Sequence, residues 1–495
     1  MLTITANIQY FSKSRIRVIL TALAFVVCFA ATQNISAATF TVTRNDDRNS
    51  TCNSAVDCSL REAVKAASVG FNDDTINFAA GLPVITLANE IEIVPAGLLI
   101  ISGPGANVLA IDGGAGTNRI FRINNANITI SGVTMRGGNG NGVANSGQGG
   151  AIYSTSGQIT LNAVVVENNG GASLLGGGVY LSGGTHRITN STFSGNTSNK
   201  CGGIYFSGTA LSLVNSTISG NIATTGELGV SQGAGLCSGG ATTIRNSTIA
   251  NNSSTGADSQ SGGISNFQNA LDIGNTIIAG NSAINYPEIR NQGIVSSAGG
   301  NLIGDSAGNS ADTDLAVTYQ ASDILDISPM LAALQNNGGA MMTQALLPGS
   351  PAIDKGVNAL AVDPFNNTAL AADQRGLTRV IDGNADSAAT VDIGAFETQF
   401  VPTAASVTVG GRVQTAKGQG IRNVQVTLIG ANGETRTTIS SAFGFYRFAD
   451  VVAGETYIFS VRAKQYTFSQ QTQARSIFED INDVNFVADK SKLNY

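Results

Sequence analysis

Between residues 128 and 281, apolar and polar positions recur in fixed columns, although the interval between repeats is irregular. With Gly132, Ala163, Asn190, Asn215, Asn246 and Asn275 as anchors, the spacings are 31, 27, 25, 31 and 29. Two residues before each anchor stand Ile130, Leu161, Ile188, Leu213, Ile244 and Ile273. Three residues after it stand Met135, Val166, Phe193, Ile218, Ile249 and Ile278. Six after it come Gly138 and then Asn169, Asn196, Asn221, Asn252 and Asn281. Each unit also carries a Gly-Gly-aliphatic element, as in Gly177-Gly178-Val179-Tyr180 and Gly202-Gly203-Ile204-Tyr205.

The alternation before each anchor has the period of a strand, and helical spacing is missing. A unit of two or three short strands cannot bury its apolar face alone. Stacked in parallel, such units place equivalent residues about 4.8 Å apart, so each aliphatic column becomes a continuous internal stack. The Asn column should then form a ladder whose amides satisfy turn backbone. The unit predicts an all-β parallel β-helix, right-handed by analogy with the crossover rule. A leucine-rich solenoid would need a Leu-rich unit. After Val401-Pro402-Thr403 the pattern changes to alternating strands over 406–489, among them Val424/Val426/Leu428 and Tyr457/Phe459/Val461.

The columns also sort the polar residues. His186 falls among Ile128, Ile159, Leu211, Thr242 and Leu271, which predicts a core-facing structural histidine. The next column holds Thr129, Thr160, Arg187, Ser212, Thr243 and Asp272, and should face solvent. Arg187 and Asp272 are therefore candidate ligand contacts, weighed against a plainly solvated face. Cys201 and Cys237 belong to successive coils but sit four positions apart along the strand. That offset is roughly 13 Å at strand rise, against a limit of about 7 Å for a bridge. Two free thiols are expected unless the loop bends back. Cys52 and Cys58 are close in sequence and are expected to pair.

Composition changes the picture in three respects. The 495 residues include 60 Gly and only 9 Pro, which suits tight turns between short strands and excludes collagen. There is one His, so the commonest acid-base catalyst is nearly missing. Lys13, Arg15 and Arg17 precede an apolar run from Val18 to Ala31 and the small residues Ser36-Ala37-Ala38. That order predicts a secretory signal over 1–38, with an uncleaved anchor as the alternative. Its removal takes the net charge from −6 to −9. An acidic exported chain is a poor nucleic-acid binder, and no later stretch is apolar enough to span a membrane.

Several segments resemble known families. Cys58-Ser59-Leu60-Arg61-Glu62-Ala63, followed by Asp74-Thr75-Ile76-Asn77-Phe78, resembles the CSLREA domain of secreted β-helix proteins. Leu60, Val64 and Ala67 would then line one side of a short helix capping the solenoid, with Arg61 and Glu62 as a neighbouring pair on its surface. The Gly-Gly-Ala-Ile and Phe193-Ser194-Gly195-Asn196 elements are similar to repeats of polymorphic outer-membrane adhesins. Residues 344–397 resemble the choice-of-anchor Q domain through Leu347-Pro348-Gly349-Ser350-Pro351-Ala352-Ile353-Asp354, Asp373-Gln374-Arg375-Gly376 and Asp392-Ile393-Gly394-Ala395-Phe396-Glu397. The resemblance implies an end to the β-helix, with Asp373, Arg375, Arg379 and Glu397 pairing structurally. Gly418-Gln419-Gly420-Ile421 and Ala442-Phe443-Gly444-Phe445-Tyr446 resemble the carboxypeptidase regulatory-like, prealbumin-type sandwich, a stalk and sometimes a carbohydrate-binding module.

The expected organisation is a signal (1–38), an N-terminal cap with first coils (39–110), β-helix repeats (111–310), a choice-of-anchor-like end (311–400), a linker (401–405), the sandwich (406–489) and a tail (490–495). The fold class expected is a pectin-lyase-like right-handed parallel β-helix followed by a prealbumin-like sandwich.

Function is less legible. Asp382, Asn384 and Asp386 form a D-x-N-x-D run like the start of a calcium loop, but Ile393 stands where a bidentate Glu is needed. Calcium is thus the one cofactor left open. In the repeats the acids Glu167, Glu227, Asp258 and Asp272 fall in different columns or loops. The paired carboxylates of a glycosidase, or the acids and nearby base of a lyase, are not assembled. The expectation is a non-catalytic surface or extracellular protein used for adhesion or glycan contact, with polysaccharide or cell-surface glycans as partners and the sandwich as a stalk or carbohydrate-binding-like module. A β-helix lyase or glycosidase is the alternative.

Overall fold

The computed structural model describes residues 37–491, apart from 70–71, 96, 115–117, 144–145, 171–174, 225–230, 268, 308–314, 385–387, 400–405 and 431–432. The signal-like segment up to residue 36, Asp386, the linker and the last four residues of the tail lie outside the described residues.

The chain winds into a parallel β-solenoid with three sheets. The first has ten strands, from Thr39–Val42 to Ile294–Gly299. The second has eight, from Ile91–Ile93 to Ile289–Asn291, and the third ten, from Val84–Thr86 to Ile324–Leu325. Register follows the sequence columns. Ile130 pairs with Leu161, then Ile188, Leu213, Ile244 and Ile273. Met135, Val166, Phe193, Ile218, Ile249 and Ile278 align in the third sheet. Both columns are buried in one continuous core.

The anchors are the corner between the first and third sheets. Gly132, Ala163, Asn190, Asn215, Asn246 and Asn275 all have φ between 49° and 61°. Asn tolerates that left-handed conformation better than other side-chain-bearing residues, which explains its recurrence. Six residues on, the buried Asn ladder runs as expected. Asn169, Asn196, Asn221 and Asn252 each donate Nδ2 to Oδ1 of the next Asn, at 2.8–3.0 Å. The same Oδ1 atoms accept the backbone N–H of the preceding Asn. The column ends on Glu288, whose Oε2 accepts from Asn281 Nδ2 at 2.6 Å.

The N-terminal end is covered by a helix, Leu60–Ala67, started by a reciprocal Ser59–Glu62 capping box. Leu60, Val64 and Ala67 are buried against the first coils. Arg61 and Glu62 do not pair with each other. Arg61 grips Asp47, while the buried Glu62 binds Arg48. Adjacent helical residues point in different directions, so each found its own partner. Cys52 and Cys58 are bridged, with Cα atoms 4.5 Å apart.

Cys201 and Cys237 are also bridged, against the expectation of free thiols. Cys201 lies in a turn where Gly176 and Gly233 take the equivalent places, all with φ of 61–65°. This turn folds the chain back over the following strand. A Cβ at Gly176 would lie 3.1 Å from Cβ of Tyr205, one coil on. Cys237 pairs with Tyr205 in register, so it stands in that same facing position relative to Cys201. The extended-strand estimate failed because the residues before Ile204 are not extended.

The parallel coils of the solenoid stop at Ile324–Leu325. The following segment adds no coils and instead runs back along the outside of the anchor corner. Thr192 Oγ1 donates to Met342 O, Asn215 Nδ2 to Ala372 O and Asn246 Nδ2 to Leu360 O. Phe396, Ile393 and Leu346 pack on Ile277 and Leu302. Residues 406–491 form a separate sandwich of a three-stranded and a four-stranded sheet with its own core. Gln335 Nε2 donates to Ala474 O at 2.6 Å, tying it to the returning segment.

Candidate functional site

Arg187 and Asp272 do project from one outward column, but three steps of the stack separate them, roughly 14 Å. Each is already neutralised. Arg187 forms an ion pair with the buried Asp363 of the returning segment and lies over Phe365. Asp272 pairs with Arg245 of the preceding coil. His186 is fully buried, with Nε2 2.6 Å from Gly183 O and its ring edge-on to Phe206. Burial lowers its pKa, which keeps the imidazole neutral.

The motif acids of the returning segment make a buried ionic cluster. Asp373 grips Arg375 at 2.7 Å, and Arg375 stacks on Phe396 at 3.6 Å. Arg379 reaches the solenoid through Asn246 Oδ1 at 3.1 Å and lies 3.8 Å from Glu397. Asp392 accepts the N–H groups of Asp354 and Thr398. Burial pushes Asp392 up to about 7 and Glu397 up to about 9, with Arg379 opposing the rise at Glu397. The cluster is sealed and holds the segment to the coils. Asp382 and Asn384 flank Gly383, which donates to Asp354 Oδ1 at 3.0 Å. Neither is without a partner. Among the described residues no group of three or more His, Cys, Asp and Glu is placed to hold a metal. Nor is any helix among them long and apolar enough to cross a membrane.

Two features escaped the sequence reading. On the outer face of the second sheet Tyr153, Tyr180 and Tyr205 stack in one column, with centroids 5.2 and 4.6 Å apart, and Arg119 caps Tyr153 at 4.8 Å. Both faces of Tyr180 are covered by its neighbours, and the position after Tyr205 in the column is the bridged Cys237.

The second feature is on the sandwich. In its four-stranded sheet, register places Ile439, Gln425 and Arg462 side by side on three adjacent strands. Burial alternates along these strands, with all three exposed and Val426, Leu428 and Val461 turned into the core. The loop Ile421–Val424 and the turn Ala463–Gln465 flank this row and leave an open groove of about 930 Å³. Arg422, Arg462 and Lys464 line it, and no Asp or Glu does. Ile439 is shared with a neighbouring hollow lined by Phe445 and Arg447. Phe445 is over half exposed and carries Arg412 at 5.1 Å from its ring. The strand alternation was visible in the sequence, but the register that gathers these residues was not.

No protein-family model matches the chain, and no curated protein matches it.

Proposed function

We propose that this is an exported, non-catalytic β-helix protein of the cell surface or extracellular space that contacts glycans through its C-terminal sandwich. The observation that carries the reading is the open groove on the four-stranded sheet, polar and cationic on one side and apolar at Ile439 and Phe445. Sugars present hydroxyls at their rims and apolar C–H faces, so a shallow site mixing hydrogen-bond donors with exposed rings suits them. The solenoid acts as a rigid body that displays this module. Its outward charges Arg187 and Asp272 are spent on internal pairs, and its anchor corner is covered by the returning segment. The resemblance of 58–63 to secreted β-helix proteins, of 344–397 to anchor-associated domains and of 406–489 to regulatory-like sandwiches supports the same placement. The two disulfides suit an oxidising compartment. Affinity electrophoresis through gels containing a panel of plant, algal and bacterial polysaccharides tests the reading. Retardation by at least one polymer, without release of reducing ends or unsaturated products, is expected. Migration unaffected by every polymer, or product release, would overturn it.

A further inference from the structure

We infer that the ligand of the sandwich groove is an acidic polysaccharide, held through its carboxylate or sulfate groups by Arg422, Arg462 and Lys464. This rests on the glycan-binding reading and adds the charge of the ligand. The whole chain is acidic, with 33 Asp and Glu against 27 Lys and Arg. The segment 406–491 reverses this, with nine Lys and Arg against seven Asp and Glu. The reversal is concentrated at the groove, where three cations meet and no carboxylate lines the wall. None of the three forms an ion pair among the described residues, whereas Arg187, Arg245, Arg375 and Arg379 are all taken up. Exposed cations without partners on one wall create a positive potential that an anionic chain can neutralise. Arginine also matches a carboxylate or sulfate with two parallel N–H donors.

The row Ile439–Gln425–Arg462 spans about 10 Å across three strands, long enough for two sugar rings. The apolar side fits the same ligand. Ile439 is 63% exposed, and Phe445 in the adjoining hollow 56%. Exposed apolar groups beside cations suit a ring that carries both a C–H face and a charge. A nucleic-acid footprint needs a strongly basic module, and an excess of two is far short of that. A polybasic membrane contact takes roughly four to eight clustered Lys and Arg.

Titration calorimetry of the whole chain against polygalacturonate, and against the same polymer with its carboxyls reduced to alcohols, tests the assignment. Binding to the acid form at least tenfold tighter than to the reduced form, weakening as salt is raised, is expected. The double variant R462Q/K464Q should lose about tenfold or more toward the acid polymer and keep the wild-type melting temperature, since both side chains are exposed. Equal affinity for the two polymers would overturn the inference while leaving glycan binding intact. Failure to bind either of them, a sulfated galactan or the wider panel would overturn both. Tighter binding to phosphatidylglycerol vesicles or to single-stranded DNA at the same salt would also overturn the inference.

Discussion

Cys201 and Cys237 link two successive coils, with Cα atoms 5.4 Å apart although 36 residues separate them in sequence. Both are buried, and the bridge closes one full turn of the solenoid. A cross-link over a loop of this size restricts the unfolded chain. Replacing both by Ser should therefore cost about 2–4 kcal/mol in denaturant unfolding. Peptide mapping without reductant should recover the pairs 52–58 and 201–237. Two thiols titrating in the unreduced, denatured protein would contradict the pairing.

The Asn ladder makes a second claim on stability. Asn221 Oδ1 accepts from Asn196 at both its backbone N–H and Nδ2, while Asn221 Nδ2 donates to Phe193 O and Asn252 Oδ1. Asn221→Ala removes all four bonds inside a buried turn. At roughly 1–3 kcal/mol for each stranded group, a loss of about 3 kcal/mol or more is expected in equilibrium unfolding. A change under 1 kcal/mol would mean the column is decoration.

Arg379 holds the returning segment to the coils. Its Nη2 serves Asn246 Oδ1 and the carbonyls of Asp392 and Gly394, with Glu397 beside it. Arg379→Ala leaves three buried acceptors without their donor, a loss of about 3 kcal/mol or more at roughly 1–3 kcal/mol each. Limited proteolysis should then cut within 358–397 while the coils at 128–299 stay protected. Uniform resistance matching the wild type would show that the segment is held by other contacts.

The buried carboxyls give stability a pH profile with two limbs. Burial pushes Asp392 up to about 7 and Glu397 up to about 9. Between the unfolded value of roughly 4 and these pKa values the folded chain holds more protons than the unfolded chain, so stability falls as pH rises from about 4, up to 7 for Asp392 and on toward 9 for Glu397. Glu62 behaves oppositely. Its bonds from Arg48, Ser50 and Ser59 hold it below the usual carboxylate range, so its contribution is lost as pH falls below about 4. Denaturant midpoints from pH 3 to 9 should peak in mild acid. Asp392→Asn should flatten the fall between about pH 4 and 7, leaving the Glu397 fall toward pH 9 and the acid limb in place. A midpoint that climbs steadily from pH 5 to 9 would contradict this.

The coils were legible because a parallel stack maps equivalent residues onto one another, so the columns of Ile130 and Met135 in sequence are the register of the sheets. The Asn ladder followed from the same logic, whereas the helical cap was read from the motif at 58–63 and the spacing of Leu60, Val64 and Ala67. What escaped depended on a local bend or on contacts distant in sequence. The left-handed turn at Cys201 turned an apparent offset into a bridge. Arg187 read as free because Asp363 lies 176 positions away, on a segment whose return over the corner leaves no periodic trace. The groove on the sandwich arises from pairing Gln425 with both Ile439 and Arg462, which alternation alone does not specify.

Hydrogen–deuterium exchange of the whole chain with and without a bound acidic polysaccharide tests the account most directly. Slower exchange confined to 421–425, 437–439 and 462–466, with the coils at 128–299 unchanged, is the predicted result. Slowing along the first or second sheet of the solenoid, with the sandwich unaffected, would contradict the assignment of recognition to the C-terminal module.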